Sequence, residues 1–283
     1  EALESCHWPG NVRELEHAIE RAVHISRNAV RMSKNEELTE QVKGADELAD
    51  LDERFSEEKI INSNSYGIAA AVQEAGGIPL LLGIARDTHA SLKEKIAQGL
   101  NADILVLSGG VSMGDYDFTR AVFREIGAEM NFWKLAIRPG QPLAFGKIQG
   151  KLAFGLPGNP VSSMVTFEQL VRPAMLKMGG HRSYGRPVLD AVFQEKFSKR
   201  TDRRHFLRGV LTREDGVLKV RTTGDQGSGI LTSMVKANCL IDVPTEVERL
   251  NPGDMVTVQL LSGEAWLTNV EPAHSGGHRL SCC

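Results

Sequence analysis

Between residues 62 and 178, short apolar runs alternate with amphipathic helical patterns, and this alternation limits the possible folds most strongly. Helical patterns lie near 62–75, 88–100, 117–127 and 160–178, and extended patterns lie at 78–84, 103–107, 131–137, 143–148 and 152–156. Such alternation is typical of right-handed βαβ units around a parallel sheet. The sequence therefore predicts an α/β domain with three layers and a mostly parallel sheet, which we assign to residues 42–180.

A different pattern begins near residue 185. Runs at 188–193, 217–222 and 255–260 alternate with period two and are separated by Asp-Gly and Pro-Gly turns. Short strands joined by tight turns are typical of small barrels and sandwiches. We expect a small β-barrel over residues 185–261, followed by a disordered tail over residues 262–283.

The first thirty residues form a separate unit. Asn11 can cap a helix with Glu14 three residues later, and apolar residues then recur at helical spacing. The string WPGNVRELEHAIERAV resembles the end of the ATPase domain of sigma-54-dependent activators. The chain has no G-x-x-x-x-G-K-[ST] phosphate loop, so we expect only a short helical fragment at 1–30 and a polar linker at 31–41.

Composition excludes several classes of partner. A net charge of −3 provides no global field that would attract nucleic acid or an anionic membrane. The sequence contains no apolar stretch of about eighteen residues, and the first thirty residues do not resemble a signal peptide. Four scattered cysteines favour reduced thiols. We therefore expect a cytoplasmic protein without nucleic-acid or membrane partners.

The tail contains residues that ligate zinc in other proteins, namely His274, His278, Cys282 and Cys283. The surrounding segment is polar, rich in Gly and Ser, and without flanking patterns that would fix four ligands. A solvated tail is therefore the preferred interpretation, with a zinc site as the alternative.

In an open parallel sheet, ligands bind outside the carboxyl ends of the strands. The strand at 103–107 leads into SGGVSMGDYD and then a helix, so backbone amides can converge on an anion there. The predicted contacts are Ser108, Gly109, Gly110, Ser112 and Gly114. The loop matches neither the Walker motif nor G-x-G-x-x-G, which disfavours nucleoside triphosphatases and dinucleotide oxidoreductases.

A second loop, GLPGNPVS, follows the strand at 152–156. Asn159 suits an N-cap and Pro160 suits a first helical turn, so another helix begins directly after a strand. Two such helix starts can bracket one polyanion. The predicted contacts in this loop are Pro157, Gly158, Asn159, Pro160 and Ser162.

Four charged residues complete the predicted site. Asp87, after the run at 78–84, and Asp117, after the first loop, would leave the same sheet edge and share a magnesium ion. Lys134 and Arg138, four apart in an extended segment, would project to one side and contact oxyanions. Taken singly, these features also fit tight turns, helix caps and solvated charges. Their convergence on one edge favours a functional site.

Five motifs occur in register: NSN at 62–64, GIARD at 83–87, SGGVSMGDYDF, FWKLAIRPGQPLAFGK and GLPGNPVSSMVTFEQLVRPA. Together with RRHFLRG and GSGILTSMVKANCLIDVP further on, they resemble the molybdopterin molybdenumtransferase family. The resemblance implies that adenylylated molybdopterin and molybdate are substrates, that AMP is released with magnesium, and that the protein forms a homodimer.

The resemblance also implies roles for individual residues. Glu47, Asp87 and Asp117 correspond to acidic residues near metal and substrate, while Lys134 and Arg138 correspond to basic residues that contact molybdate or phosphate. The two loops correspond to a cradle for the pterin phosphate. The chain departs from the family pattern before Glu47, where KGADE replaces Ser-Thr-Gly-Asp-Glu and the family's first strand is missing.

Three alternatives stay open. Molybdopterin adenylyltransferases use the same α/β domain, but the stand-alone enzymes end without a barrel. A catalytically inactive fragment or scaffold that still binds molybdopterin is favoured by the absence of the family's two N-terminal domains. A DNA-linked regulator is disfavoured because the chain has neither an ATPase core nor a helix-turn-helix pattern.

Overall fold

The structure, a computed structural model, describes residues 48–49, 60–110 and 116–261. The predicted N-terminal helix, the linker and the tail with its histidines and cysteines lie outside this range, as do Glu47, Ser112 and Gly114. In the described part, no helix is both long and apolar enough to cross a membrane.

The first part of the described chain is a mixed α/β unit. A short parallel pair, β1 (Leu48–Ala49) with β2 (Ile60–Ile61), precedes it. The remaining elements follow in chain order: α1 (Ser63–Glu74), α2 (His89–Gly99), β3 (Ile104–Ser108), α3 (Tyr116–Glu125), β4 (Glu129–Lys134), β5 (Ile137–Arg138), β6 (Pro142–Ile148), β7 (Lys151–Leu156), α4 (Pro160–Thr166) and α5 (Arg172–Met178).

The sheet of this unit is mixed, so the prediction of a mostly parallel sheet is wrong. Its four strands lie in the order β3-β7-β6-β4, and only β3 and β7 are parallel. The reason lies in the connection between β6 and β7. Gln149 and Gly150, both at positive φ (49° and 79°), form a tight turn that can join only antiparallel neighbours.

The predicted strand at 78–84 is also wrong, because this segment forms no regular strand. Gly83 has a φ of 76°, which interrupts an extended path. The carbonyl of Leu82 accepts a hydrogen bond from Lys95 of α2 instead of joining a strand ladder. Ile78 and Leu81 are exposed, and side-chain packing of the partly buried residues, rather than strand pairing, holds the segment.

Alternate residues of the strands pack against helices on opposite faces of the sheet. Ile104, Phe145 and Phe154 belong to one apolar cluster, which includes residues of α1, α4 and α5. Leu105 and Ala153 belong to a second cluster, which includes residues of α2 and α3. This alternation follows from the two-residue period of side chains along a strand.

The helix predicted at 160–178 contains a π-helical turn, Phe167–Val171, between α4 and α5. Pro173 lies in the turn that follows and lacks an amide hydrogen, so the regular ladder of hydrogen bonds cannot continue through it. The widened turn accommodates this loss and keeps the helix continuous.

The second part of the described chain is a β-barrel, as predicted, and the structure shows that five strands close it. Its elements are β8 (Val188–Phe193), β9 (Phe197–Ser198), β10 (Arg204–Glu214), β11 (Val217–Thr222), α6 (Leu231–Lys236), β12 (Cys239–Val243), β13 (Arg249–Leu250) and β14 (Met255–Leu260). The strand order β11-β8-β14-β12-β10 closes through pairing of β10 with β11.

The barrel and the α/β unit are joined along one seam. Strand β5 of the α/β unit pairs in parallel with the start of β10. Phe206 and Leu240 of the barrel belong to the same apolar cluster as the core of the sheet. Gln169 of the π turn donates to Gln259 of β14 at 2.7 Å. The loops at the carboxyl end of the sheet are therefore held next to the barrel.

Candidate functional site

Two loops leave the carboxyl ends of the parallel strands β3 and β7 side by side. Ser108 is the register partner of Leu156, and the amide of Gly109 donates to the carbonyl of Leu156 at 3.0 Å. We call residues 108–110 the first loop and residues 157–159 the second loop. Both lie at the edge where ligands bind in sheets of this kind.

The first loop needs glycine at two positions. Gly109 and Gly110 have φ values of 82° and 66°, a region that other residues adopt at a cost. A Cβ on Gly110 would also lie 3.1 Å from the hydroxyl oxygen of Thr119, which donates to the carbonyl of Gly110. The positive φ values and the contact with Thr119 thus fix the backbone of the first loop.

A small polar network connects the two loops. The hydroxyl of Ser108 lies 3.2 Å from both the carbonyl oxygen of Pro157 and the hydroxyl oxygen of Ser163. The side-chain amide of Asn64 donates to the carbonyl of Gly158 at 2.8 Å and to the Ser108 hydroxyl at 3.3 Å. Three predicted contact residues, Ser108, Pro157 and Gly158, are therefore brought together.

Asn159 is the N-cap residue of α4, as predicted, but its side chain forms no capping hydrogen bond. It donates instead to the hydroxyl of Ser228 in the barrel at 3.1 Å. The carbonyl of Ser228 accepts from the amide of Val161, also at 3.1 Å. A barrel residue thus lies directly against the start of the helix that follows the second loop, beside the predicted contacts Pro160 and Ser162.

Arg208 of β10 is a buried cation. Its side chain is fully enclosed, with the residue 1% exposed, and it donates to the hydroxyl of Ser233 at 3.0 Å and to the carbonyl of Gly227 at 3.1 Å. Within the described part of the chain it forms no ion pair with a carboxylate. Burial lowers the pKa of Arg208 to about 10; Asp225 opposes this shift and Arg138 adds to it.

Arg138 lies in the same region, in β5, and its strand partner is His205. Burial lowers the pKa of His205 to about 4, with further contributions from the positive charges of Lys199, Arg138 and Arg203. His205 is therefore neutral at pH 7. Arg138 and the buried Arg208 lie in one region of the seam, and such a pair of cations suits an oxyanion.

Lys134 does not lie in one extended segment with Arg138, so that part of the sequence interpretation is wrong. Lys134 ends β4 in the four-stranded sheet, whereas Arg138 lies in β5 beside the barrel. The amide of Leu135 donates to the carbonyl of Gln141, which turns the chain between the two strands. Both residues are exposed.

The predicted magnesium ligands are not assembled by the described residues. Asp87 is exposed and follows an irregular segment, so it does not leave a strand of the sheet as expected. Asp117 lies at the start of α3, but its side chain, like the whole of Glu47, is outside the description. Among described residues, no group of three or more His, Cys, Asp and Glu could hold a metal ion. The metal site stays a prediction.

The sequence alone did not indicate a role for Asn64, Arg208 or Ser228. Asn64 stands in the motif NSN at the start of α1, where its distant partners are not apparent from neighbouring residues. Arg208 had a usable signal: it is an arginine within the apolar run HFLRGVL, and such residues are rarely buried without a polar purpose.

Models of known families match nearly the whole chain in three pieces. Residues 44–177 match the family described as "Probable molybdopterin binding domain", and residues 190–261 match the "MoeA C-terminal region (domain IV)". Residues 1–51 match the "AAA+ ATPase lid domain", in agreement with the resemblance of the first thirty residues to an activator ATPase.

Individual relatives agree with these matches. The molybdopterin molybdenumtransferase of Haemophilus influenzae is 36% identical over 217 residues, covering 76% of this chain and 54% of the relative. That of Nostoc sp. is 34% identical, covering 76% and 51%. The crystal structure of a molybdopterin biosynthesis MoeA protein from Pyrococcus horikoshii superposes with a TM-score of 0.65 at 32% identity, covering 77% and 52%.

The chain thus spans about half the length of the relatives it matches. The matched half includes both loops, Arg138 and Arg208, which lie within residues 44–177 and 190–261. Over these residues the chain is similar to the molybdopterin molybdenumtransferases, with a molybdopterin-binding domain match followed by a domain IV match.

Proposed function

We propose that this chain acts in molybdenum cofactor biosynthesis by inserting molybdate into adenylylated molybdopterin with release of AMP. The observation that carries the proposal is the buried cation Arg208, which forms no ion pair within the described chain and lies near Arg138. A buried cation is costly unless an anion accompanies it, so the seam between barrel and sheet is suited to an oxyanion.

The two loops would hold the phosphate part of the pterin ligand. The first loop offers backbone amides in a fixed conformation, and the second loop is held beside it by Ser108 and Asn64. We infer that Ser112, Gly114, Pro160 and Ser162 extend this cradle, as the sequence predicts. Fixed donors need no rearrangement when charge develops on the phosphate.

Arg138 would contact molybdate at the seam, the enclosed Arg208 would add its positive charge from beneath, and Lys134 is a further proposed cation. In the proposed reaction, a water oxygen attacks the phosphorus of the adenylate as its bond to the bridging oxygen breaks, so AMP leaves and the bridging oxygen stays on the pterin phosphate. The two dithiol sulfurs bind molybdenum, and one molybdate oxygen leaves with their two protons as water. Asp87, Asp117 and Glu47 are the proposed magnesium ligands. Magnesium, when bound, would neutralise charge on the phosphoanhydride.

The barrel favours this activity over molybdopterin adenylylation. Its residue Ser228 contacts Asn159 of the second loop, and its residue Arg208 supplies the buried cation. An adenylyltransferase that consists of the α/β domain alone would lack both groups. A fragment that binds molybdopterin without turnover is the second alternative, because the chain covers about half of its relatives.

We also propose that the protein works in the cytoplasm as a homodimer, without nucleic-acid or membrane partners. Support comes from the family resemblance and from the balanced charge of the chain. Light scattering after size exclusion would measure the mass of the assembly. A monomer at micromolar concentration contradicts the dimer.

Mass spectrometry can test the reaction. The full chain is incubated with adenylylated molybdopterin, molybdate and magnesium, and both AMP and molybdenum-loaded product are quantified. We expect AMP release that depends on molybdate and falls roughly tenfold or more in Arg208→Gln. Pyrophosphate release from ATP and molybdopterin would identify the adenylyltransferase instead. Ligand binding without AMP release would identify a non-catalytic fragment.

A further inference from the structure

Asn64 connects the two loops from a third element of the fold. It is the second residue of α1, and only 3% of it is exposed. Its Nδ2 atom donates to the carbonyl of Gly158 at 2.8 Å and to the hydroxyl of Ser108 at 3.3 Å. One acceptor belongs to the first loop and the other to the second, so one amide group spans both.

The loops need such a connection because their backbones separate. Among the described residues, the last backbone hydrogen bond between the two chain segments joins the amide of Gly109 to the carbonyl of Leu156, just before the second loop. Beyond it, one loop runs towards α3 and the other towards α4. The Ser108 hydroxyl has a single hydrogen to donate, so it cannot satisfy the carbonyls of both Pro157 and Gly158. The second donor comes from Asn64.

Few side chains can replace Asn64 in this position. The site requires two N–H donors on one uncharged nitrogen, at a fixed distance from the helix backbone. Aspartate has no donor when ionised, leucine has none at all, and glutamine is one methylene longer. Because Asn64 is almost fully enclosed, water cannot readily supply the missing hydrogen bond to Gly158.

We propose that Asn64 is a positioning residue, which holds the first and second loops at the separation needed to bind the phosphate of molybdopterin. This inference rests on the proposed function, because it concerns the same loops. Asn64 acts through Ser108 and Gly158 and need not touch the ligand. Its contribution is to the geometry of the site rather than to chemistry at the reacting atoms.

The substitution Asn64→Asp provides a specific test, with molybdopterin affinity of the full chain measured by titration calorimetry. At pH 7.5 the ionised carboxyl cannot donate to Gly158, so we expect affinity to fall by roughly tenfold or more. The pKa of an aspartate, about 3.9 in water, rises on burial. As pH falls towards 5, the protonated carboxyl regains one O–H donor for Gly158.

The ratio of N64D affinity to wild-type affinity should therefore rise at least about threefold when the pH is lowered from 7.5 to 5. Taking the ratio removes titration of the ligand itself, and Ser108 and Gly158 do not titrate in this range. Asn64→Leu has the same shape without a donor, so its affinity should stay low at both pH values. Pure loss of stability would not produce this difference between the two variants.

Asn238→Asp is the matched control. Asn238 also donates its side-chain amide to a backbone carbonyl, that of Leu211 at 2.9 Å, but it does so within the barrel and away from the loops. N238D should lose stability while keeping wild-type affinity.

Hydrogen exchange gives a second measurement. In N64D, the amides of Gly110 and Gly158 should exchange faster than in the wild type. If N64D does not fold, Asn64→Ser should show the same effect.

The outcomes separate the two claims. If the wild-type chain does not bind molybdopterin, the proposed function fails. If the wild type binds, and N64D binds equally well at pH 7.5, Asn64 has no positioning role. The inference is also contradicted if N64D and N64L bind molybdopterin with equally low affinity at every pH and the loop amides do not exchange hydrogen faster.

Discussion

Arg186 holds both carboxylate oxygens of Glu168, through Nε at 2.7 Å and Nη2 at 2.9 Å, while the two side chains are only 8% and 5% exposed. Its remaining nitrogen, Nη1, donates to Glu74 at the end of α1. Arg186 lies between α5 and the first barrel strand, so it ties the barrel to two helices of the α/β unit. The contact between the Arg186 guanidinium and the Glu168 carboxylate is therefore bidentate, and both side chains are largely buried.

Arg186→Met should lower the free energy of unfolding by about 3 kcal/mol, because it leaves the buried Glu168 carboxylate with only the longer ion pair to Arg172 at 3.9 Å. Urea denaturation measures the loss. The double variant with Arg186→Met and Glu168→Gln has neither charge. Its loss of unfolding free energy should be smaller than the sum of the losses of the two single variants. Lys219→Met breaks an exposed pair with Glu214 and should have a much smaller effect. Additive losses would contradict the coupling.

Gly110→Ala should reduce both stability and molybdopterin binding. A residue with a Cβ at φ 66° is strained by about 1–2 kcal/mol, and the added carbon would press on Thr119. Gly150→Ala is the control, because Gly150 has a similar φ of 79° but open space around its Cβ. Both variants should lose stability, and only G110A should lose affinity. Equal molybdopterin affinities of G110A and G150A would show that the first loop is not part of the binding site.

Stability should depend on pH through His205. The folded pKa of about 4 lies below the ordinary value of 6.5, so the unfolded chain binds the proton first as pH falls. The folded state therefore loses stability from about pH 6.5 down to about pH 4, by about 2 kcal/mol between pH 7.5 and pH 5. His205→Gln should remove this part of the dependence. Parallel curves for both proteins in urea titrations would contradict the assignment.

The magnesium prediction can be tested at Asp117. Asp117→Asn removes a charge but keeps the shape of the side chain and its ability to cap a helix. If Asp117 is a ligand, AMP release by the variant should need far more magnesium than the wild type. Asp190→Asn, in the barrel beside Thr257, should leave the requirement unchanged. Coinciding magnesium curves for D117N and wild type would exclude Asp117 as a ligand.

Strong local patterns predicted most elements of the fold. The helix expected at 62–75 is α1 (Ser63–Glu74), and the period-two run at 217–222 coincides with β11. Strand direction was harder to predict from the sequence, because it depends on the Gln149–Gly150 turn and on which strands become neighbours. The segment at 78–84 has strand-like composition, yet a single glycine at positive φ and packing on α2 outweigh that preference.

The site was predictable where function lies in consecutive residues. The glycines of the first loop and the Pro-Gly-Asn run of the second loop could be read directly from the chain. Arg208 and Asn64 could not be assigned in this way, because their partners are far away in sequence: Ser233 is 25 positions from Arg208, and Gly158 is 94 positions from Asn64. Such contacts depend on the tertiary fold.

The π turn at Phe167–Val171 has a consequence for insertions and deletions. A π turn holds one residue more than an α turn, so deleting one residue there would restore regular winding and leave the residues beyond it in nearly the same orientation. Arg172 would continue to face the carbonyl of Tyr184. In homologous sequences, a gap of one residue should therefore be tolerated at the π turn and in the exposed segment at 179–183, but not within the regular turns of the helix from 160 to 178.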